Sequence, residues 1–117
     1  MTAPNIMPTV LRRESGPEEE FVLALEPEHL VFQGHFPGNP ILPGVMQVDW
    51  AVRLGTIAFG PLGDFIGINN LKFMDLVRPG EQLSVFLAFD APAGKLAFRY
   101  EGPDKRKSSG TILFARP

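Results

Sequence analysis

The apolar pattern changes period along the chain, and each change predicts an element. "FVLALE" (21–26) alternates in part, as a strand does, after "SGPEEE" (15–20), a turn with a short solvated acidic run. "PEHLVFQG" (27–34) reads as a turn leading into a short extended piece. Pro37, Pro40 and Pro43 then forbid regular helix over 36–43 and push the residues before them toward extended geometry. Immediately afterwards "VMQVDWAVRLGTIAFG" runs without a proline, and its apolar members cover most of a helical wheel. Asp49, Arg53 and Thr56 share one narrow stripe at spacings of four and three. A helix this apolar is buried on most sides, and Gly60-Pro61 ends it.

Downstream, strand signals dominate. "DFIGINNLKFMDLV" (64–77) predicts a long strand bent near Asn69-Asn70, and "RPGE" (78–81) a turn. "QLSVFLAF" alternates, with Leu83, Val85, Leu87 and Phe89 on one face. "KLAFRYEG" sets Leu96, Phe98 and Tyr100 against Ala97, Arg99 and Glu101. "PDKRKSSG" reads as a basic turn before a last strand, "TILFAR". Ten-residue spacing with Gly/Pro turns indicates an antiparallel meander. One buried helix with five or six such strands predicts an α+β fold, a curved sheet wrapped around the helix. The expected organisation is one domain over 1–117, loose over 1–8, with the helix at about 44–59. A single sheet of this size leaves an open edge, which predicts burial by a second subunit.

Composition narrows the function classes. The 117 residues suffice for one modest core, and 44% hydrophobic with 21% charged residues is ordinary for a globular protein. A formal net charge of −2 leaves no basic footprint, so nucleic acid is not expected as a partner. The chain has no cysteine, which excludes disulfides and thiolate chemistry. Its N-terminus lacks a basic start followed by an apolar run, and the stretch 45–59 carries Gln47, Asp49 and Arg53, so neither a signal peptide nor membrane insertion is expected. The expected location is the cytoplasm. With His29 and His35 as its imidazoles and no thiol, the chain offers no metal-ligand cluster.

The region 34–55 concentrates the candidate chemistry. The proline series could serve as a polyproline ligand, but its tether to a buried helix favours a stiff connector. Pro43-Gly44 stands at the helix start, where the first backbone N–H groups lack intrahelical partners, and a glycine lets a ligand approach them. Such donors suit an anion or a polarised carbonyl oxygen. His35 taken alone is more often a structural histidine than a catalyst. A carboxylate inside a buried helix is costly unless paired. Asp49 therefore has two readings: an i,i+4 ion pair with Arg53 on an exposed stripe, or a carboxylate aimed into a cavity.

"HFPGNPILPGVMQVD" (35–49) resembles the signature of the 3-hydroxyacyl-[acyl-carrier-protein] dehydratases of fatty-acid synthesis, His-Phe-x-Gly-x-Pro-x-x-Pro-Gly-x-x-x-x-Glu/Asp. "LKFMDLVRPGEQLSV" is similar to that family's strand–turn–strand, and "ILPGVMQVDWA" is worded like the small dehydratase-like proteins of aryl-polyene pigment pathways. The resemblance implies a hotdog fold, and a homodimer or trimer of dimers with sites at the dimer interface. It implies His35 as the base taking the α-proton, and Asp49 of the other subunit as the acid protonating the departing hydroxyl. The backbone N–H of Gly44, with Val45, would polarise the thioester carbonyl. Phe36, Met46, Trp50 and Arg53 are the further candidates for contact with the acyl chain. No metal or redox cofactor is implied. The substrate arrives on the phosphopantetheine of an acyl-carrier protein, for which Arg78 or the 105–107 turn offers a docking cation.

One position departs from the pattern. The family commonly has glutamine four residues after the carboxylate, and here Arg53 stands there. A cation one turn from Asp49 favours a charged carboxylate, whereas an acid catalyst must hold a proton. The substitution keeps two alternatives in play, a hotdog acyl-thioesterase and a non-catalytic acyl-thioester-binding module.

Overall fold

The computed structural model describes residues 7–27, 32 and 40–116. Among them are the strands β1 (Thr9–Glu14), β2 (Glu19–Ala24), β3 (Phe65–Phe73), β4 (Gln82–Asp90), β5 (Lys95–Glu101) and β6 (Arg106–Phe114), and one helix, α1 (Gly44–Phe59). The strands form one sheet in the order β1-β2-β4-β5-β6-β3, antiparallel throughout. The sheet curves around α1, the α+β arrangement expected from the sequence.

Alternation decides which side chains face the helix. Leu83, Val85 and Leu87 of β4 and Leu96, Phe98 and Tyr100 of β5 are buried, and Ile112 and Phe114 of β6 join them. Against this concave face α1 presents Gln47, Trp50, Ala51, Leu54 and Gly55. A Cβ on Gly55 would lie 3.0 Å from Leu96 Cδ2, so the missing side chain lets the helix lie close to β5. Truncating Leu54 or Leu87 to alanine in such a core costs about 2–5 kcal/mol.

Punctuation in the sequence becomes geometry. Pro43 is extended (φ −61°, ψ 147°) and caps α1 through its carbonyl, which accepts from the N–H of Met46 (3.0 Å) and of Gln47 (3.2 Å). The bend expected in the 64–77 strand is present: Asn70 takes a positive φ of 55°, and the β3–β6 register shifts between Asn69 and Lys72.

Two segments differ from the sequence reading. β1 was not anticipated, because all of its residues are exposed and it carries no apolar periodicity. It is held by backbone pairing to β2, by the Arg13–Glu19 ion pair at 2.9 Å, and by Arg13 lying 5.1 Å over the Phe21 ring. The "basic turn" is the other correction. β6 begins at Arg106, and Lys107 and Ser108 are buried within it. Their polar groups are tolerated because each finds a partner, Lys107 on Asp75 and Ser108 on Gln47.

Candidate active site at the start of the central helix

The site is built where the connector enters α1. Leu42 is fixed by its N–H, which donates to the Val77 carbonyl at 2.7 Å. Two residues on, Gly44 opens the helix. The N–H groups of Met46 and Gln47 are spent on Pro43, whereas those of Gly44 and Val45 meet no acceptor among the described residues. This leaves two donors with the helix dipole behind them, the arrangement that holds an anion or a polarised carbonyl.

The fold gives a further reason for glycine here, beside the ligand access read in the sequence. A Cβ on Gly44 would lie 2.6 Å from Cζ and 2.9 Å from Cε1 of Phe73. The aromatic ring of the last β3 residue occupies the space a side chain would need. Gly44 therefore couples the helix start to the end of β3.

Asp49 lies just over one turn further, about 7.5 Å along the axis. Arg53 Nε donates to its Oδ2 at 2.6 Å, with the two side chains 38% and 47% exposed. Of the two sequence readings for Asp49, the exposed i,i+4 pair is the one found in the single chain. The Asp49 charge is also felt inside: burial first, then the field of Asp49, pushes the Tyr100 phenol well above its ordinary value.

The other candidates divide. Val45 is 74% exposed and Met46 half-buried against the core, so both flank the free donors. Trp50 is fully buried within the core. Arg53 is engaged with Asp49. His35 and Phe36 lie outside the described residues. No group of three or more potential metal-ligating side chains occurs among the described residues.

Gln47 was missed as a site residue. Buried on the core face of α1, it donates from Nε2 to the Leu42 carbonyl (3.3 Å) and accepts at Oε1 from Ser108 Oγ (2.6 Å). Its backbone carbonyl accepts from the Tyr100 hydroxyl at 2.6 Å. The available signal was a lone amide on an otherwise apolar helix face.

Within the 105–107 segment, Lys107 is committed elsewhere. Its amine donates to Asp75 (2.8 Å) and to the Leu76 carbonyl (3.0 Å), and lies 3.4 Å from Glu81. Burial opposes its charge, but Asp75 and Glu81 outweigh burial and the Lys107 pKa is raised. Asp75 is held below the usual carboxylate range by the Lys107 hydrogen bond and by the Leu76 N–H.

Family comparison decides the lineage. Residues 12–111 match the model of the ApeI-like family, described as ApeI dehydratase. The chain belongs to the ApeI-like dehydratase family. Solved structures agree: one chain of the dehydratase heterocomplex ApeI:P from Xenorhabdus doucetiae superposes with a TM-score of 0.85 at 34% identity, covering 93% of this chain and 98% of that one. The 3-hydroxyacyl-[acyl-carrier-protein] dehydratase FabZ of Chloroflexus aggregans is 36% identical over 107 residues, 83% of this chain and 72% of its own length. FabZ of Acetivibrio thermocellus is 39% identical over 94 residues, 72% of this chain and 64% of the relative. This ApeI-like chain spans about half the length of several other FabZ relatives that it matches. Among the described residues no helix is long and apolar enough to cross a membrane.

Proposed function

We propose that this protein dehydrates a 3-hydroxyacyl thioester, carried on the phosphopantetheine of an acyl-carrier protein, to the trans-2-enoyl thioester. The observation that carries the reading is the pair of N–H donors of Gly44 and Val45 at the start of α1, without an acceptor among the described residues, in a chain of the ApeI-like dehydratase family. In the proposed mechanism the thioester oxygen sits on these donors, which stabilise the enolate charge as His35 removes the α-proton. The electrons close to the α,β double bond as hydroxide leaves the β-carbon, and Asp49 protonates it so that it departs as water. No metal or redox cofactor enters the scheme, and the proposed location is the cytoplasm.

The acid comes from a second subunit. A helix start and its own Asp49 are separated by about 7.5 Å along the axis and lie at different azimuths, so they need not meet at one substrate, and a site shared across an interface removes that difficulty. The edge strand β3 supports such an interface: Phe65, Ile66, Leu71 and Phe73 are 40–64% exposed along it, with Met74 and Leu76 just beyond. The partner is a second copy, as a dimer or trimer of dimers, or a related chain, the Xenorhabdus relative being a heterocomplex. The proposed pathway is fatty-acid, polyketide or aryl-polyene synthesis.

The Asp49–Arg53 contact favours a second reading, an acyl-thioesterase in which the Asp49 carboxylate activates water. Purified protein incubated with 3-hydroxyacyl-carrier protein separates the two. Enoyl product lost in His35→Ala and Asp49→Asn supports dehydration, and free thiol without enoyl product supports hydrolysis. Tight acyl-thioester binding without turnover, surviving Asp49→Asn, identifies a binding module instead.

A further inference from the structure

We propose that Gln47 is a positioning residue for this reaction, acting with Ser108 and Tyr100 to hold the helix-start donors against Leu42. The proposal rests on the dehydratase reading for its catalytic consequence, but its geometry stands on the hydrogen bonds alone.

Three independent attachments converge on one residue. The Gln47 side chain reaches back to the Leu42 carbonyl in the connector and across to Ser108 on β6, and its backbone carbonyl receives the Tyr100 hydroxyl from β5. Leu42 is in turn held by Val77 from the β3–β4 loop. Leu42, the first turn of α1 and two sheet strands are thereby locked to one another. Gln47 sits three residues after Gly44 and two before Asp49, so any rotation or slide of α1 that misplaces one of them strains the same bonds.

An apolar side chain would fill this position at less desolvation cost, since a buried amide needs all its partners to break even. Here Ser108 and Gln47 are almost wholly buried and mutually satisfied, so the polar choice adds direction rather than bulk. Hydrophobic contacts tolerate small slides; hydrogen bonds of 2.6 Å do not. A reaction that requires a carbonyl oxygen about 3 Å from two backbone donors and a base on a separate segment needs that directional constraint.

The test compares Gln47→Met, Ser108→Ala, Tyr100→Phe and the double variant Gln47→Met/Ser108→Ala in the full-length protein. Each single variant is expected to lower kcat for enoyl formation about ten- to hundredfold with KM little changed. Removing both partners relieves the orphaned hydroxyl or amide, so the double variant should recover much of the Tm lost by Ser108→Ala while kcat stays low. Recovery of kcat together with Tm would reduce the network to ordinary core stability and overturn the proposal. Amide hydrogen exchange provides a readout independent of turnover. Exchange at Leu42, Met46 and Gln47 should accelerate in Gln47→Met while that of β4 and β5 is unchanged, and uniform acceleration would likewise overturn it. If wild type forms no enoyl product from any carrier-bound substrate, the dehydratase reading fails, and the exchange pattern still decides whether Gln47 locks the connector to the helix.

Discussion

The two edges of the sheet differ in charge and in the apolar surface they expose. β1 places Arg12, Arg13 and Glu14 on its edge, pairs Arg13 with Glu19, and breaks its register with β2 between Val10 and Arg12. Charge and a bulge are the devices that stop an edge from recruiting another strand. β3 also shifts register, between Phe65 and Gly67 and between Asn69 and Lys72, but it carries a single charge, Lys72, and leaves Phe65, Ile66, Leu71 and Phe73 exposed. It is also the edge that touches the candidate site, since Phe73 rests on Gly44. An apolar edge joined to the candidate helix start fits the proposal of a site completed by a neighbour. The more highly charged β1 edge is less suited to recruiting a second subunit.

Charging the two edges separately should break this comparison most sharply. Ile66→Lys/Leu71→Lys on β3 is expected to give monomers by light scattering. Enoyl formation should fall about a hundredfold or more, because the acid no longer arrives from the second subunit. Leu11→Lys on β1, 57% exposed in the wild type, should leave both mass and rate unchanged. Monomers from the β1 change, or full activity in a β3 monomer, would reverse the assignment of the edges.

The second test acts where β3 meets α1. Gly44→Ala puts a methyl group within 2.6–3.1 Å of three Phe73 ring atoms, so the ring must move or the helix must shift. Overpacking of this kind costs about 1–3 kcal/mol. Urea unfolding should register that loss, and Gly44→Ala/Phe73→Leu should regain part of it. If Gly44 served only ligand access, Phe73→Leu would restore no stability to Gly44→Ala.

A third, smaller effect concerns how β3 leaves the sheet. The N–H groups of Met74 and Asp75 both donate to the Lys107 carbonyl, and the Lys107 amine holds Asp75. Asp75 has its pKa lowered in the fold, so its contribution is present above its ordinary 3.8 and lost as pH falls through the lower, folded value. Lys107 has its pKa raised, so its contribution is complete below its ordinary 10.5 and lost as pH rises through the higher, folded value. Lys107→Met should therefore lower Tm by a constant amount between about pH 5 and pH 9, with the difference shrinking toward acid. A difference independent of pH down to about pH 2 would point to lost packing of the lysine stem instead.

What the sequence revealed follows the range of the interactions. α1 was legible because Pro43 and Gly60-Pro61 bracket a proline-free apolar run, and β4 and β5 because each buries one face. The Asp49–Arg53 pair could be read from i,i+4 spacing alone. β1 was hidden because its stability comes from backbone pairing, which leaves no side-chain period. Lys107 and Ser108 looked like a turn because the partners that permit their burial, Asp75 and Gln47, are 32 and 61 residues away. Phe73 on Gly44 is equally non-local. Motif spacing supplied the resemblance on which the roles of His35 and Asp49 rest, while the contacts that hold Gly44 in place required the fold.

The smallest stability effect is expected at Arg53, although it carries the sharpest functional question. Asp49 and Arg53 lie on the outer stripe of α1, both substantially exposed, and such pairs contribute about 0.3–0.5 kcal/mol. Arg53→Gln should leave Tm within the error that such a difference implies, so any change in chemistry is not a folding effect. Under the dehydratase reading the glutamine variant forms enoyl thioester at least as fast as wild type, because Asp49 loses a partner that competes with the leaving hydroxyl. Under the thioesterase reading the same variant releases thiol more slowly, because the charged carboxylate that activates water has lost its cation. The stripe also bears on the edges: if Asp49 serves a neighbouring subunit, Arg53→Gln should alter turnover in the assembled wild-type background but not the residual rate of the β3-charged monomer. Equal effects in both would place Asp49 and its substrate within one chain, and β3 would then be an edge of assembly alone.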